Sequence, residues 1–394
     1  MGINPLRARR ALPENVRALG WVSFANDLAS ELVYPVFPLF LTVTLGAPVA
    51  VLGVIEGIAE GVAVGLRGAA GRLSDRLGGR RLGWVRGGYA LSTLARPIIA
   101  AAQHWSIVLG GRLLDRAGKA VRTAPRDALI KESTPPALYG AAFGYHRALD
   151  TAGAVLGPLA AVALLAGGAS LRTVIWLSVL PGIGALLLLL RPLHEPDAAL
   201  AAADSADPPS RLTRAFWLVL AVWVVFSLGN SSDSFLLLRS KNLGLGFTLV
   251  VLAYAFYNVV YSALSWPLGA LSDRVPRPLV LGGGLAVFAL VYLGFAVAPG
   301  SWAVWPLFAV YGLYIAATEG VARAWVGDHA PEGAAGTAFG IFSAATGGAL
   351  LVASITGGIL WSSVGPSAPF YFGAACSTLA LVLLAGTRRA STRR

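Results

Sequence analysis

Apolar stretches of about 20 residues alternate with short polar connectors from one end of the chain to the other, and about 20 residues is what an α-helix needs to cross a bilayer. The pattern predicts spans at 18–41, 48–68, 82–103, 105–125, 138–165, 171–190, 214–238, 247–269, 279–299, 302–324, 335–361 and 368–387. The expected fold class is an all-α membrane protein with twelve transmembrane helices. Within the second span, VLGVIEGIAEGVAVGL (51–66) carries Glu56 and Glu60 among small or apolar residues. Four residues apart on a helix, the two side chains share one face. Each charge at a bilayer centre costs about 2.5–3.5 kcal/mol on the insertion scale.

Composition agrees with a membrane chain. Of 394 residues, 56% are hydrophobic and 13% charged, against about 45–50% apolar and about 25% charged in soluble proteins. The net charge of +12 sits in short clusters between spans, which marks topology rather than a nucleic-acid surface. One side of the bilayer collects 21 bases, from Arg7, Arg9, Arg10 and Arg17 at the start to Arg388, Arg389, Arg393 and Arg394 at the end; the other side has Arg172, Arg239 and Lys241. By the positive-inside rule both termini are cytoplasmic, with the chain multi-pass in the plasma (inner) membrane. The basic first residues lack a following cleavable apolar core, so no removed signal peptide is expected. One cysteine, Cys376, and four scattered histidines offer no disulfide framework and no metal-ligand spacing. No cofactor is expected.

The longest polar stretch, LHEPDAALAAADSADPPSRLTR at 193–214, reads as a cytoplasmic linker. The expected division is a six-helix bundle at 1–191, a linker at 192–213 and a second six-helix bundle at 214–394. The halves repeat. GRLSDR (71–76) returns as GALSDR (269–274), offset by 198, and TPPALYGAAFG (134–144) as APEGAAGTAFG (330–340), offset by 196. Two matches at nearly one offset imply pseudo-symmetric bundles related by an axis along the membrane normal.

These residues resemble the major facilitator superfamily, and the likeness covers nearly the whole chain. GRLSDRLGGRR (71–81) is similar to the family's loop motif after the second helix, with Gly79 in place of a base. Gly71 suits close helix approach, and Asp75 suits capping or pairing with a helix N-terminus or an arginine. The resemblance implies a conformational role for Gly71, Asp75, Arg76 and Gly78, and for Gly269, Asp273 and Arg274 in the copy. GAVLGPLAAV (153–162) resembles the family's antiporter motif, with Ala161 and Val162 in place of the last glycines. Gly153 and Gly157 permit close packing, and Pro158 bends the helix. In the family this motif accompanies exporters that exchange substrate for protons. RLLDRAGKAVRTAPRD (112–127) fits the family's arginine motif at Arg112 and Gly118, with Arg116 at a usual glycine.

At middle depth the first half holds Asp27, Glu31, Glu56, Glu60, Asp115 and Asp150 against Arg96, Arg112, Arg116, Lys119 and Arg147. Facing lipid, this set costs on the order of 25–40 kcal/mol, so it must line a wet cavity or pair inside the bundle. At the repeat offset Glu56 and Glu60 become Tyr254 and Asn258, while Arg147 and Asp150 become Ser343 and Thr346. The expectation is a division of labour: a proton-linked network of Asp27, Glu31, Glu56, Glu60, Arg112, Asp115, Arg147 and Asp150, and a neutral, aromatic substrate wall in the second half. Candidates for that wall are Asn230, Asp233, Tyr254, Asn258 and Glu319, with Glu319 also able to pair with Arg323 four residues on.

With no nucleophile–base set, metal motif or nucleotide loop, an enzyme is not expected. The leading expectation is a monomeric, proton-coupled exporter (antiporter) of a small organic or drug-like solute, working by alternating access, with protons, solute and the lipid bilayer as partners and no nucleic acid. Two alternatives stay open: a transporter of an anionic metabolite, an organic acid or phosphate ester held by the buried arginines, and a metal-ion exporter using carboxylate oxygens.

Overall fold

A computed structural model describes residues 12–77, 80–191, 193–196 and 212–391. Of the expected 192–213 linker, residues 192 and 197–211 lie outside the described residues, as does Gly78. The described chain is helical with no strand. Its long elements are α1 (Glu14–Val33), α2 (Val49–Arg76), α3 (Arg81–Ala101), α4 (Trp105–Glu132), α5 (Tyr139–Ala166) and α6 (Leu171–Leu177 continued by Val179–Leu189). They continue with α7 (Arg214–Gly229 continued by Ser234–Asn242), α8 (Phe247–Ser272), α9 (Arg277–Val297), α10 (Val304–His329), α11 (Ala335–Ser363) and α12 (Ala368–Ser391).

Local chemistry starts several of them. Ser170 and Thr213 accept from the amides of Thr173 and Phe216 at 3.1 and 3.2 Å, capping α6 and α7. Pro13, Pro48 and Pro276 precede α1, α2 and α9, where the missing N–H is harmless. Two helices are interrupted at matching places. α1 ends at Val33 and resumes after a turn as Phe37–Leu39 and a π-helical turn, Phe40–Thr44; α7 breaks between Gly229 and Ser234. Interrupted backbone at membrane depth needs protein or water around it, because lipid satisfies no freed amide or carbonyl.

The chain divides into two compact units. The first comprises 1–136, 145–211 and 330–343; the second comprises 137–144, 212–329 and 344–394. In the first unit α4 packs along α3 and α2, and α1 along the later piece of α6. In the second α10 packs along α9 and α8, and the first piece of α7 along α12. At six helices' remove, these are the same pairings, as the sequence repeat requires.

Seven helices among the described residues are long and apolar enough to cross a membrane by themselves: those at 136–166, 171–189, 214–242, 277–297, 301–329, 335–363 and 368–386. α1, α3 and α4 lie outside that set because of their charges: Asp27 and Glu31, then Arg81, Arg86 and Arg96, then Arg112 to Lys131. Large apolar side chains such as Leu180, Leu290, Val297, Ile359 and Val382 point outward, each more than 60% exposed, as lipid-facing residues do.

Candidate functional site

The ionisable residues of the first unit meet where α5 lies against α1. Gly153 of α5 sits on the backbone of Phe24 and Leu28 and on Asp27 Cβ, and Gly157 sits on Glu31 and Leu32. A Cβ added at Gly153 would lie 2.9 Å from the Leu28 nitrogen, and one at Gly157 2.8 Å from the Glu31 carbonyl carbon. The two glycines therefore let α5 touch α1 at the two turns that carry Asp27 and Glu31. Asp150, one turn before Gly153, receives the Ser23 hydroxyl on one oxygen and Arg147 Nη1 at 2.8 Å on the other. The Asp27 carboxyl lies within hydrogen-bonding reach of Asp150.

α4 supplies the opposing charge. Lys119 faces Asp27, and Lys119, Arg116 and Arg112 face Glu31. Arg112 Nη1 reaches Asp115 Oδ2 at 3.4 Å, and its guanidinium lies 4.9 Å from the Phe37 ring centroid. Arg96 of α3, 3% exposed, donates to the Asn26 carbonyl and side-chain oxygens at 3.3 and 3.1 Å and to Ser30 Oγ at 3.0 Å. Six of the eight predicted network residues are brought together here. Glu56 and Glu60 lie on α2, but their side chains lie outside the described residues.

A second constellation, at the ends of α2 and of its repeat counterpart α8, occurs twice. Asp75, after the core of the repeated motif, accepts from the amides of Gly336 and Thr337 at 3.0 and 2.5 Å, capping α11. Arg81, fully buried, contacts Asp75 at 2.6 Å and binds Glu132 through Nε and Nη2 at 3.1 and 2.8 Å. In the other unit Asp273 accepts from the amides of Gly140 and Ala141 at 2.7 and 2.8 Å, capping α5. Arg277 bonds Asp273 at 2.9 Å and also bonds Asp328. Glu132 and Asp328 differ by the 196 offset, so each clamp is one aspartate, one arginine and one further acid. Gly71 stands against Gly336 and Gly340, and Gly269 against Gly140 and Gly144; a side chain at either place would meet backbone.

These groups lie outside the spans, and burial is the largest single influence on their ionisation, though not always the deciding one. It pushes the Glu132 carboxyl up, with Arg81 opposing, and pushes Asp273 up, with the Ala141 and Gly140 amides and Arg277 opposing. Burial pulls Arg81 down, but its bonds to Glu132 and Asp75 outweigh that and hold it firmly protonated.

The first clamp has an attachment that the second lacks among the described residues. Glu195, at the start of the linker, accepts from the backbone amides of Arg81 and Leu82 at 2.9 and 2.8 Å. Asn15 and His194 exchange two bonds at 2.8 and 3.2 Å. Glu195 thus caps α3, and the residue it holds is the arginine of the clamp.

In the second unit Asp233 stands at the break in α7. It occupies the N-cap position of the following piece yet makes no cap bond. Instead Tyr257 donates to Oδ2 and Tyr311 to Oδ1, each at 2.6 Å. The Tyr257 ring is stacked on Phe308 at 5.5 Å and meets Tyr311 edge-on at 5.3 Å and Tyr254 at 5.1 Å. Asn258 is buried and donates to the Tyr254 carbonyl one turn back at 3.0 Å, an intrahelical role. Asn230 closes the first piece of α7 with its backbone amide. Glu319 and Arg323 pair at 2.7 Å.

Sequence reasoning singled out Arg76 and Arg274, but both are exposed, and the guanidiniums on the two aspartates belong to Arg81 and Arg277. It also passed over Glu132, Glu195, Asp328, Ser23 and Tyr311. The repeat offset pairs Glu132 with Asp328 and was a usable signal for both; Glu195 and Ser23 carry none.

Two units with one pairing scheme, duplicated clamps and a buried ionic network define a polytopic helical membrane protein built by internal duplication. The chain matches the family model of the Major Facilitator Superfamily over residues 19–257 and 220–394. It is 32% identical over 382 residues to an uncharacterized MFS-type transporter of Methanocaldococcus jannaschii, covering 95% of each chain. An uncharacterized protein of Mycobacterium tuberculosis is 32% identical over 233 residues, 57% of this chain and 55% of that one. Among solved structures, the human organic anion transporter MFSD10 superposes with a TM-score of 0.75 at 15% identity, covering 94% of this chain and 100% of that one. The Escherichia coli fucose:proton symporter FucP gives 0.72 at 14% identity, covering 94% and 97%. The chain belongs to the Major Facilitator Superfamily: it is a membrane transporter with the fold of two pseudo-symmetric six-helix bundles, and not an enzyme.

Proposed function

We propose that the protein is a proton-coupled exporter (antiporter) of a small organic or drug-like solute, acting as a monomer by alternating access in the plasma membrane with both termini cytoplasmic. The observation that carries this reading is the close meeting of α1 and α5 at Gly153 and Gly157, which brings the Asp27 and Glu31 turns beside the Arg147–Asp150 pair. Such a group of acids gains and loses a proton by exchanging partners. If the partners differ between inward and outward forms, proton binding biases the conformational equilibrium. Interrupted α1 and α7 agree with a transport pathway, since broken helices in transporters flank binding sites.

The test is exchange driven by a pH gradient in proteoliposomes, scanned over a panel of fluorescent solutes. Asp27→Asn combined with Glu31→Gln should strongly reduce the dependence on the gradient, and Glu56→Gln with Glu60→Gln should weaken it. Unchanged gradient-driven flux in the first double variant would remove the network from the mechanism.

One observation favours a second reading, transport of an anionic metabolite. Arg112, Arg116 and Lys119 are four and three residues apart and so share one face of α4. On that reading Arg112→Gln abolishes solute binding and leaves proton release intact.

A further inference from the structure

Asp233 is half-buried in the second unit and has no basic partner among the described residues. Its two hydrogen bonds come from neutral phenols, and its electrostatic neighbours are those tyrosines and another acid, Glu319. Glu319 is already balanced by Arg323, and Arg239, on the same piece of α7, is spent on the Phe295 and Ala296 carbonyls and Asn242. A carboxylate at membrane depth without a countercharge is costly, and the cost falls when a cation from outside the chain sits beside it. Among the described residues, Asp27, Glu31, Asp115 and Asp150 of the first unit each have bases of their own chain nearby; Asp233 does not.

The surroundings say what kind of cation. Each carboxylate oxygen takes one phenolic O–H, which fixes the carboxylate plane and leaves its other lone pairs open. The donating rings of Tyr257 and Tyr311 are buried; half-buried Tyr254, edge-on to Tyr257, and the half-buried carboxyl of Asp233 are the parts open to approach. A partly exposed aromatic ring near a carboxylate attracts a diffuse organic cation, whose apolar groups pack on the ring while its charge pairs with the acid. A small hydrated metal ion gains little there, because it needs several oxygen ligands.

We infer that Asp233, with Tyr254, Tyr257 and Tyr311, is a binding site for a monovalent organic cation, an alkylated or aryl-substituted ammonium or phosphonium, and that such cations are a substrate class of this transporter. The inference rests on the transport reading for the word substrate, but the binding site stands without it. It also accounts for Asp233 leaving its helix-capping position: the two phenols hold the carboxylate toward the rings instead.

The test uses the full chain in detergent or nanodiscs with tetraphenylphosphonium and tetraethylammonium as probes and neutral triphenylphosphine oxide as the uncharged control, read by calorimetry. The wild type should bind tetraphenylphosphonium and discriminate against the oxide at least tenfold. Asp233→Asn should weaken cation binding at least tenfold, with a helical spectrum and elution profile like the wild type. Tyr257→Phe and Tyr311→Phe, which keep the rings, should weaken it severalfold. Absence of cation binding by the wild type, equal binding of the oxide, or unchanged binding by Asp233→Asn would each overturn the inference. Vesicle flux separates the two readings. Cation binding lost in Asp233→Asn with no flux of any solute keeps the site and defeats the transport mechanism. Gradient-driven flux of a neutral or anionic solute through Asp233→Asn, with no cation binding by the wild type, does the reverse.

Discussion

The two units share helix pairings and clamps but differ in what fills them at middle depth. In the first, Asp27, Glu31, Asp115 and Asp150 stand among Arg96, Arg112, Arg116, Lys119 and Arg147. In the second, the corresponding volume holds rings: Phe226, Phe288, Tyr292, Phe308, Tyr311 and Tyr314 pack edge-on or stacked, with Phe288 and Tyr292 centred 3.9 Å apart. The scaffold tolerates both fillings because the contacts that recur in both units, Gly71 and Gly269 against backbone and Asp75 and Asp273 on a helix N-terminus, lie away from that volume. Duplication kept those contacts and left the interior free to diverge. An ionic interior suits re-pairing with protons, and an aromatic one with an acid that has no basic partner among the described residues suits holding a solute.

Replacing the ionic groups tests this contrast most severely. Asp27→Asn with Glu31→Gln should reduce the effect of a pH gradient on exchange by roughly 5–150-fold, the range of an ordinary coupling free energy. Tyr254→Phe in the other unit should leave the gradient effect intact and alter only apparent solute affinity. If both variants lose gradient dependence equally, the division of labour is wrong.

The clamps provide the next comparison. Asp75→Asn removes one partner of the fully buried Arg81 and should cost about 3 kcal/mol or more. Asp273→Asn leaves Arg277 more exposed to solvent and bonded to Asp328, and should cost about 1–3 kcal/mol. Unfolding midpoints of the solubilised variants check the order; a larger loss at Asp273 breaks it. A smaller effect sharpens the asymmetry at the linker. Glu195→Ala removes a helix cap worth about 0.5–2 kcal/mol. It should raise hydrogen exchange at the Gly336 and Thr337 amides while the Gly140 and Ala141 amides stay protected. Glu195→Asp should restore most of the protection. Equal deprotection at both places would mean general loosening rather than a strap on one clamp.

The smallest expected effect is on pH. Burial raises the Glu132 and Asp273 carboxyls above their unfolded values. A raised folded value adds stability that is fully present below the unfolded value and is lost as pH rises through the folded one. The unfolding midpoint should therefore decline slightly from weakly acidic toward neutral pH, and Glu132→Gln should flatten that decline. A midpoint rising over the same range would contradict the assignment.

Much of the architecture was legible because its signals are local or periodic. Span length reports bilayer thickness, and the 196–198 offset reports duplication. Asp75 and Asp273 could be read as capping residues from their motif, and Arg147 with Asp150, like Glu319 with Arg323, from helical spacing alone. Arg81 escaped notice because it stood in a run of bases with nothing to distinguish it, and Ser23 and Glu195 because their partners lie 127 and 114 residues away.

The sequence by itself determined that this chain is a duplicated bundle of membrane helices with charges that hydrocarbon rejects, since apolar length, charge and repetition are properties of order along the chain. Only the tertiary structure decided which acid meets which base, that Gly153 and Gly157 receive the Asp27 and Glu31 turns, and that Asp233 faces two phenols and, among the described residues, no cation. Those are matters of distance between segments far apart in sequence, and distance is set when helices pack.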